Sequence, residues 1–278
     1  MDRWAPPVVA ELELVLHALA EENPGQWAFS IREDGRPIVS VDGDRVVPAA
    51  STSKVALLVL ALQQVATSGR DLADRLQIPR DRVGGSGVLR ALTSVHELTL
   101  AEVLELMVVV SDNVATNMII DALGVRNIRT GLRDLGAQDS RLERRLMDSA
   151  AIAAGAQNVT TADDQALVLD RLCRGELLPD PLRSHALAVL GGQQFNDRLP
   201  SRLESDVVCR HKTGEIYNIR HDVGILEFDG RQIAVAALGS DLPEPADNLA
   251  AQVIGTAAQG VVALARGEQG WVRSSSCE

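Results

Sequence analysis

Apolar and polar positions along the chain divide it into recognisable elements. From Pro7 to about Glu22, Val8, Leu12, Val15, Leu16 and Leu19 recur at three- and four-residue spacing, which predicts a surface helix ending at Asn23-Pro24-Gly25. Gln26–Arg32 and Arg36–Val41 then read as strands about Asp34-Gly35, a pair that tolerates the positive φ of a tight hairpin turn. Ser51 to Ala66 is apolar nearly all round, through Val55, Leu57, Leu58, Val59, Leu60, Leu62 and Val65, so its helix belongs in the core. A glycine-rich loop, Gly84-Gly85-Ser86-Gly87, precedes two more helical patterns, Leu98–Val110 and Val114–Leu123, which are broken by Ser111-Asp112-Asn113.

Between Gly136 and Asn158 periodicity is poor and charges dominate, predicting a long loop, after which Thr161 caps a helix to about Leu172. Val207–His211, Asp222–Phe228 and Gln232–Leu238 read as strands, the last two joined at Asp229-Gly230, before a final helix from about Ala246 to Ala265. Ser274-Ser275-Ser276 reads as a frayed tail. Strands lie at both ends and helices in the middle. The predicted class is therefore α/β or α+β: an antiparallel sheet drawn from both chain ends, flanked by helices, with an inserted all-helical lobe. The expected lobes are 1–50 plus 200–278, and 51–199, with an active site between them and the whole forming one structural unit.

With 278 residues and 46% hydrophobic content there is enough apolar side chain for an ordinary core. A net charge of −11 argues against nucleic-acid partners and against anionic membrane surfaces, leaving a small-molecule substrate or a protein as the expected partner. Glu11, Glu13, Glu21 and Glu22 interrupt the first apolar positions, so no signal core is visible. No uninterrupted apolar run reaches roughly 18 residues, so no membrane span is expected. As written the chain is expected in the cytoplasm, or exported if a leader was trimmed. Cys173, Cys209 and Cys277 form an odd set without ligand spacing and read as free thiols; neither metal nor organic cofactor is implied.

One bias sharpens the picture: of 27 basic residues, only Lys54 and Lys212 are lysines. Arginine keeps its proton, whereas lysine gives it up when desolvated or set beside another cation, so these two positions ask for proton-transfer chemistry. Lys54 closes Ser51-Thr52-Ser53-Lys54, where i and i+3 share a helix face and bring amine to hydroxyl. Lys212 opens Lys212-Thr213-Gly214, at the end of a predicted strand and followed by Glu215. Between them lies Ser111-Asp112-Asn113.

In this order the three motifs resemble those of class A β-lactamases and related penicillin-binding enzymes. The likeness extends through GSGVLR, SDNVATNMIIDALG, TTADDQALVL and QQFNDRLPSRL, roughly from Val46 to Leu238. It implies that Ser51 is acylated by a β-lactam or another cyclic or peptide-like amide or ester, with Lys54 as its base and Ser111 as proton relay to the leaving nitrogen. It further implies that Asn113 contacts the substrate amide, that Lys212 and Thr213 hold its carboxylate, and that the N–H groups of Ser51 and Glu215 form an oxyanion hole. Gly214 would let substrate approach the strand closely.

Two departures bear on the activity. The family's loop pattern Arg-Xaa-Glu-Xaa-Xaa-Leu-Asn, whose glutamate activates the deacylating water, matches Arg141-Leu142-Glu143-Arg144-Arg145-Leu146-Met147 in one register, with methionine for asparagine. The preferred register instead keeps Arg144 at the loop mouth and places Leu146 at the base position. Glu143 is then a solvated acid, Asp148 a lesser candidate, and acylation should outlast turnover, or the substrate is a different ester or amide. Glu215 stands where the family places a small or neutral residue; its carboxylate either weakens anionic ligands or points to solvent while its N–H is used. His211 should point away from Lys212 and serve packing.

Overall fold

The computed structural model describes residues 4–268. Its elements are α1 (Pro6–Glu22), β1 (Gln26–Glu33), β2 (Arg36–Val41), β3 (Val47–Pro48), α2 (Ser53–Ser68), β4 (Arg75–Gln77), β5 (Glu97–Thr99), α3 (Leu100–Val109), α4 (Asn113–Leu123) and α5 (Val125–Asp134). There follow α6 (Ser149–Ala153), β6 (Val159–Thr160), α7 (Ala162–Cys173), α8 (Asp180–Gly191), β7 (Val208–Ile216), β8 (Ile219–Phe228), β9 (Arg231–Ser240) and α9 (Asp247–Arg266). Short 3-10 turns cover Ala50–Thr52 and Leu199–Arg202. The expected tail, with Cys277, lies outside the described residues.

The main sheet runs β2-β1-β9-β8-β7 and is antiparallel throughout, so strands from the two ends of the chain meet at β1 and β9. Of the sheet's three hairpins, β1–β2 and β8–β9 turn on residues at positive φ, Asp34-Gly35 and Asp229-Gly230, as their dipeptides require, and β7–β8 turns at Asn218, also at positive φ. Side chains alternate between two cores. Trp27, Phe29, Ile31, Ile233, Val235 and Ala237 pack on α1 and α9, while Ala28, Ala234, Ala236, Leu238, Val223 and Ile225 pack on the inserted helices. Covered on both faces, β8 and β9 are almost continuously buried.

α2 runs through the second core with every residue from Ser53 to Leu62 buried. Each of its leucines withdrawn from water contributes about 1.5–3 kcal/mol, so the helix has a firm seat. α3 starts at a capping box between Thr99 and Glu102, α4 at Asp112, and α7 at Thr161. α9 is long and apolar enough by length and composition to cross a bilayer, with mean hydropathy 1.3, yet 67% of that stretch is buried inside the fold. Cys173 and Cys209 are free thiols; burial pushes Cys173 up to about 12 and Cys209 well above its ordinary range, which makes both poor nucleophiles.

The first core is tied off by one buried ion pair. Glu33 at the end of β1 takes Arg231 Nε at 2.8 Å and Nη2 at 2.6 Å, accepts from Trp4 Nε1 at 2.5 Å, and Arg231 Nη1 donates to the Ala265 carbonyl of α9 at 2.6 Å. The fork joins β9, β1, the N-terminal segment and the last helix, and the guanidinium also covers the Trp4 ring. Truncation would strand a buried cation. Glu33→Ala is expected to cost about 3–5 kcal/mol, read as a lower urea midpoint at unchanged slope; a shift below about 1 kcal/mol would mean water replaces the carboxylate.

Candidate active site

Ser51 sits in the 3-10 turn just before α2, and the helix itself begins at Ser53, two residues later than the apolar pattern predicts. The reason is local. Thr52 Oγ1 donates back to the Ala49 carbonyl at 2.7 Å and Ser53 Oγ to the Ala50 carbonyl at 3.0 Å, which tightens the chain into a turn. Ala50 is held at φ +44, a left-handed setting that costs a non-glycine residue on the order of 1 kcal/mol. Lys54 then follows on the first turn of α2 and is fully buried.

Ser111 and Asn113 are fixed by the residue between them. Asp112 caps α4 with one carboxylate oxygen, on the N–H groups of Val114 and Ala115, and holds Val88 and Leu89 N–H with the other. The glycine-rich loop is thereby pinned over the motif, with Asn113 N–H on the Ser86 carbonyl and Asn113 Nδ2 on Gly84. A Cβ at Gly87, which sits at φ +109, would lie 2.4 Å from the Asp112 Cα, so only glycine fits.

This frame carries a short polar chain. Lys54 Nζ donates to the Ser111 carbonyl at 2.8 Å, to Ser111 Oγ at 2.9 Å and to Asn113 Oδ1 at 3.2 Å, and Ser111 Oγ donates to Ser51 Oγ at 2.9 Å. The expected amine–hydroxyl contact within the first motif is thus routed through the second. Desolvation holds the Lys54 pKa well below the ordinary lysine range, the Lys212 cation lowers it further, and Asp112 partly offsets both.

The third motif lies inside β7, not at its end, because the strand runs on through Glu215 to Ile216. β7 is the edge of the sheet, and its free side faces the 3-10 turn. A Cβ at Gly214 would stand 2.9 Å from Thr52 Cγ2 and 3.3 Å from Thr52 N, so this glycine lets the strand abut the turn that carries Ser51. Lys212 is buried, donates to the Thr213 carbonyl at 3.0 Å, and its pKa falls to about 7; desolvation is the main cause, opposed by Asp222 and assisted by Arg198.

Arg198, with 2% of its side chain exposed, falls in the QQFNDRLPSRL stretch that carries the resemblance, although the three motifs assign it no role. Its Nη1 donates to the carbonyls of Gly214 and His221, at 3.2 and 3.1 Å, and its Nη2 to the Glu215 carboxylate at 2.5 Å. Glu215 therefore faces a buried cation, with Arg220 Nε a further 3.9 Å away, although the side chain is 56% exposed. Its acid is thus paired with Arg198 while much of the side chain stays open to the cleft it lines.

Glu143 is set apart from this group. Its carboxylate accepts the Gln157 N–H at 2.9 Å and lies 3.8 Å from Arg129 of α5. Leu146 is held instead by Asn117, one helical turn beyond Asn113 on α4, whose carboxamide takes the Leu146 N–H at 2.8 Å and donates to its carbonyl at 3.1 Å. The loop mouth is closed by Asn158, which accepts from the N–H groups of Glu143 and Arg144 and donates to the Arg144 carbonyl. Within the loop a short helix, α6, is capped by Asp148. Between the Ser51 turn, the glycine-rich loop, the 194–198 segment and β7 opens a cleft of about 410 Å³ lined by Ser51, Ser86, Ser111, Asn196, Thr213 and Glu215 among others, a size that suits a small ligand.

A buried lysine with a lowered pKa leaves a mark on stability. Between about 7 and the ordinary lysine value the unfolded chain binds the proton that folded Lys212 has lost, so this residue makes stability rise with pH across that window. Urea titrations at pH 7, 8 and 9 should show a steeper rise for the wild type than for Lys212→Met; parallel curves would place the proton elsewhere.

Comparison with known proteins agrees with this geometry. A family model described as the β-lactamase enzyme family matches residues 11–264. A β-lactamase from Streptomyces fradiae is 27% identical over 84% of this chain and 79% of its own length. The crystal structure of a β-lactamase from Sphaerobacter thermophilus superposes with a TM-score of 0.81 at 28% identity, covering 92% of this chain and 97% of its own. A leucine-to-glutamate mutant of PBP-A, solved as an acyl-enzyme with penicillin G, gives 0.81 at 26% identity over 91% and 97%. With motifs, sheet and family match in agreement, the chain belongs to the β-lactamase enzyme family and is a class A β-lactamase-related serine hydrolase.

Proposed function

We propose that the protein opens β-lactam amides by acylating Ser51 and releases the acyl group slowly. The observation that carries the first half is the hydrogen-bonded chain from Lys54 through Ser111 to Ser51, with both hydroxyl links at 2.9 Å. Of the three oxygens around Lys54 Nζ, the Ser111 carbonyl and Asn113 Oδ1 can only accept, whereas Ser111 Oγ can also donate. A neutral amine keeps two donations and receives the third bond. Both hydroxyls then turn round, Ser51 donating to Ser111 and Ser111 to Nζ, and the proton leaves Ser51 along them as the oxygen attacks the lactam carbonyl.

As the C–N bond of the ring breaks, Ser111 is placed to return a proton to the departing nitrogen. The N–H groups of Ser51 and Glu215 are the donors for the tetrahedral oxygen, on the turn and on the free edge of β7. Lys212 and Thr213 lie along the same edge, where a protonated amine and a hydroxyl suit the substrate carboxylate, and Asn113 would take the amide side chain. The small-molecule substrate is bound without cofactor in this reading.

Slow release is supported by the loop. Asn117 fixes Leu146 to the helix that bears Asn113, and the Glu143 carboxylate is engaged with Gln157 and Arg129. Leucine cannot take a proton from water, so the ester at Ser51 lacks its general base.

Intact-mass spectrometry after mixing with penicillin G is expected to show one adduct, absent in Ser51→Ala, that persists over many minutes. Leu146→Glu should shorten its lifetime at least tenfold. Rapid adduct loss in the wild type, abolished by Glu143→Gln, would transfer the base role to Glu143 and overturn the slow-release reading.

A further inference from the structure

We propose that Asn196 is a substrate-binding residue, donating from its carboxamide to a carboxylate oxygen of the β-lactam, and that the buried His211–Asp222 pair aims it. The proposal rests on the Ser51 cleft as read above. His211 immediately precedes Lys212 on β7, is buried on the other side of the strand, and faces Gly224, where a Cβ would come within 2.6 Å of its own. The ring's place is therefore reserved by a glycine on the neighbouring strand.

Its partners run from the core to the cleft. His211 Nδ1 lies 2.9 and 3.0 Å from the two carboxylate oxygens of fully buried Asp222, which also accepts the Leu199 N–H at 2.9 Å. His211 Nε2 lies 2.9 Å from Asn196 Oδ1. Asp222 can only accept when ionised, so Nδ1 donates to it, and Nε2 at the other end of the ring faces Asn196 Oδ1. Engaging Oδ1 in this way leaves the two Nδ2 hydrogens for the cleft that Asn196 lines.

The segment around Asn196 is held at both ends. Gln193 donates to the Val108 carbonyl at 3.0 Å and accepts the N–H groups of Gln194 and Phe195; Arg198 is locked to β7 and β8. Asn196 itself is exposed, with its one side-chain bond to a buried histidine. A neutral donor here suits an anionic ligand group beside Glu215, because it adds no charge to an edge whose acid already occupies the Arg198 cation.

The test uses the full chain, penicillin G and its methyl ester, with acylation of Ser51 followed by mass spectrometry against ligand concentration. Asn196→Asp keeps the shape and the His211 contact but replaces the donor by an anion. It is expected to weaken apparent affinity for penicillin G about 10- to 100-fold, the range for losing a hydrogen bond to a charged group, with the limiting acylation rate within about threefold. The methyl ester should change by less than about threefold, and Asn196→Ala should fall between. Equal effects on both ligands, or none on either, would overturn the assignment while leaving Ser51 acylation intact.

His211→Gln should weaken penicillin G binding in the wild-type background and add no more than about twofold in Asn196→Ala. Additive losses would show that His211 acts elsewhere, through Asp222 and Lys212, and would overturn the positioning role. Thermal melts establish that each variant is folded; if His211→Gln is not, the two Asn196 variants decide the matter.

Discussion

The site depends on placing a lysine amine where water does not reach and surrounding it with three oxygens of the right kind. Lys54 is carried there by α2, a helix that the core holds on all sides, and its amine meets a carbonyl, a carboxamide and a hydroxyl. Desolvation favours the neutral form, and the second lysine across the cleft pushes the same way. The hydroxyl is the group that can accept or donate, so the amine can lose a proton with every partner still satisfied. An arginine at this position would keep its charge and could not serve as base.

The rest of the architecture holds that arrangement still. Asp112 spends all its hydrogen-bonding capacity on backbone N–H groups from two segments, and so fixes Ser111 and Asn113 at once. β7 comes up to the Ser51 turn because Gly214 has no Cβ to collide with Thr52. Arg198, buried and forked between two backbone carbonyls and Glu215, secures the far side of the same strand. The loop from Arg144 to Asn158 is closed by a carboxamide on backbone groups, and Asn117 fixes one residue within it, Leu146. Which residue a loop presents is set by such anchors more than by its composition.

The pairing of chain ends in one sheet follows from strands at both ends with helices between them, and the two Asp-Gly hairpins, the buried α2 and the Thr161 cap of α7 are local or periodic properties that were legible without coordinates. So was the chemistry of the two lysines, because a composition that avoids lysine everywhere else makes them conspicuous. Other elements left too faint a trace. α5 buries only Ile128 and Leu132, and β3, β4, β5 and β6 are two or three residues long, too short for any period to show. α8 buries only Ala186, Val189 and Leu190. The third motif was expected at a strand end and lies within the strand, since continuation of β7 is decided by its pairing with β8.

By itself the sequence determined which residue types were present for acyl-serine chemistry, the order of the three motifs, and the apolar faces that would have to be buried. Tertiary structure decided who touches whom. Lys54 meets Ser51 by way of Ser111, Glu143 turns to α5, Leu146 is held by α4, Glu215 is bound by Arg198, and His211 reaches Asn196. These are contacts between residues from 14 to 60 positions apart. Periodicity and propensity report only on near neighbours, whereas a buried polar atom takes its partner from whichever element the packing brings within about 3 Å.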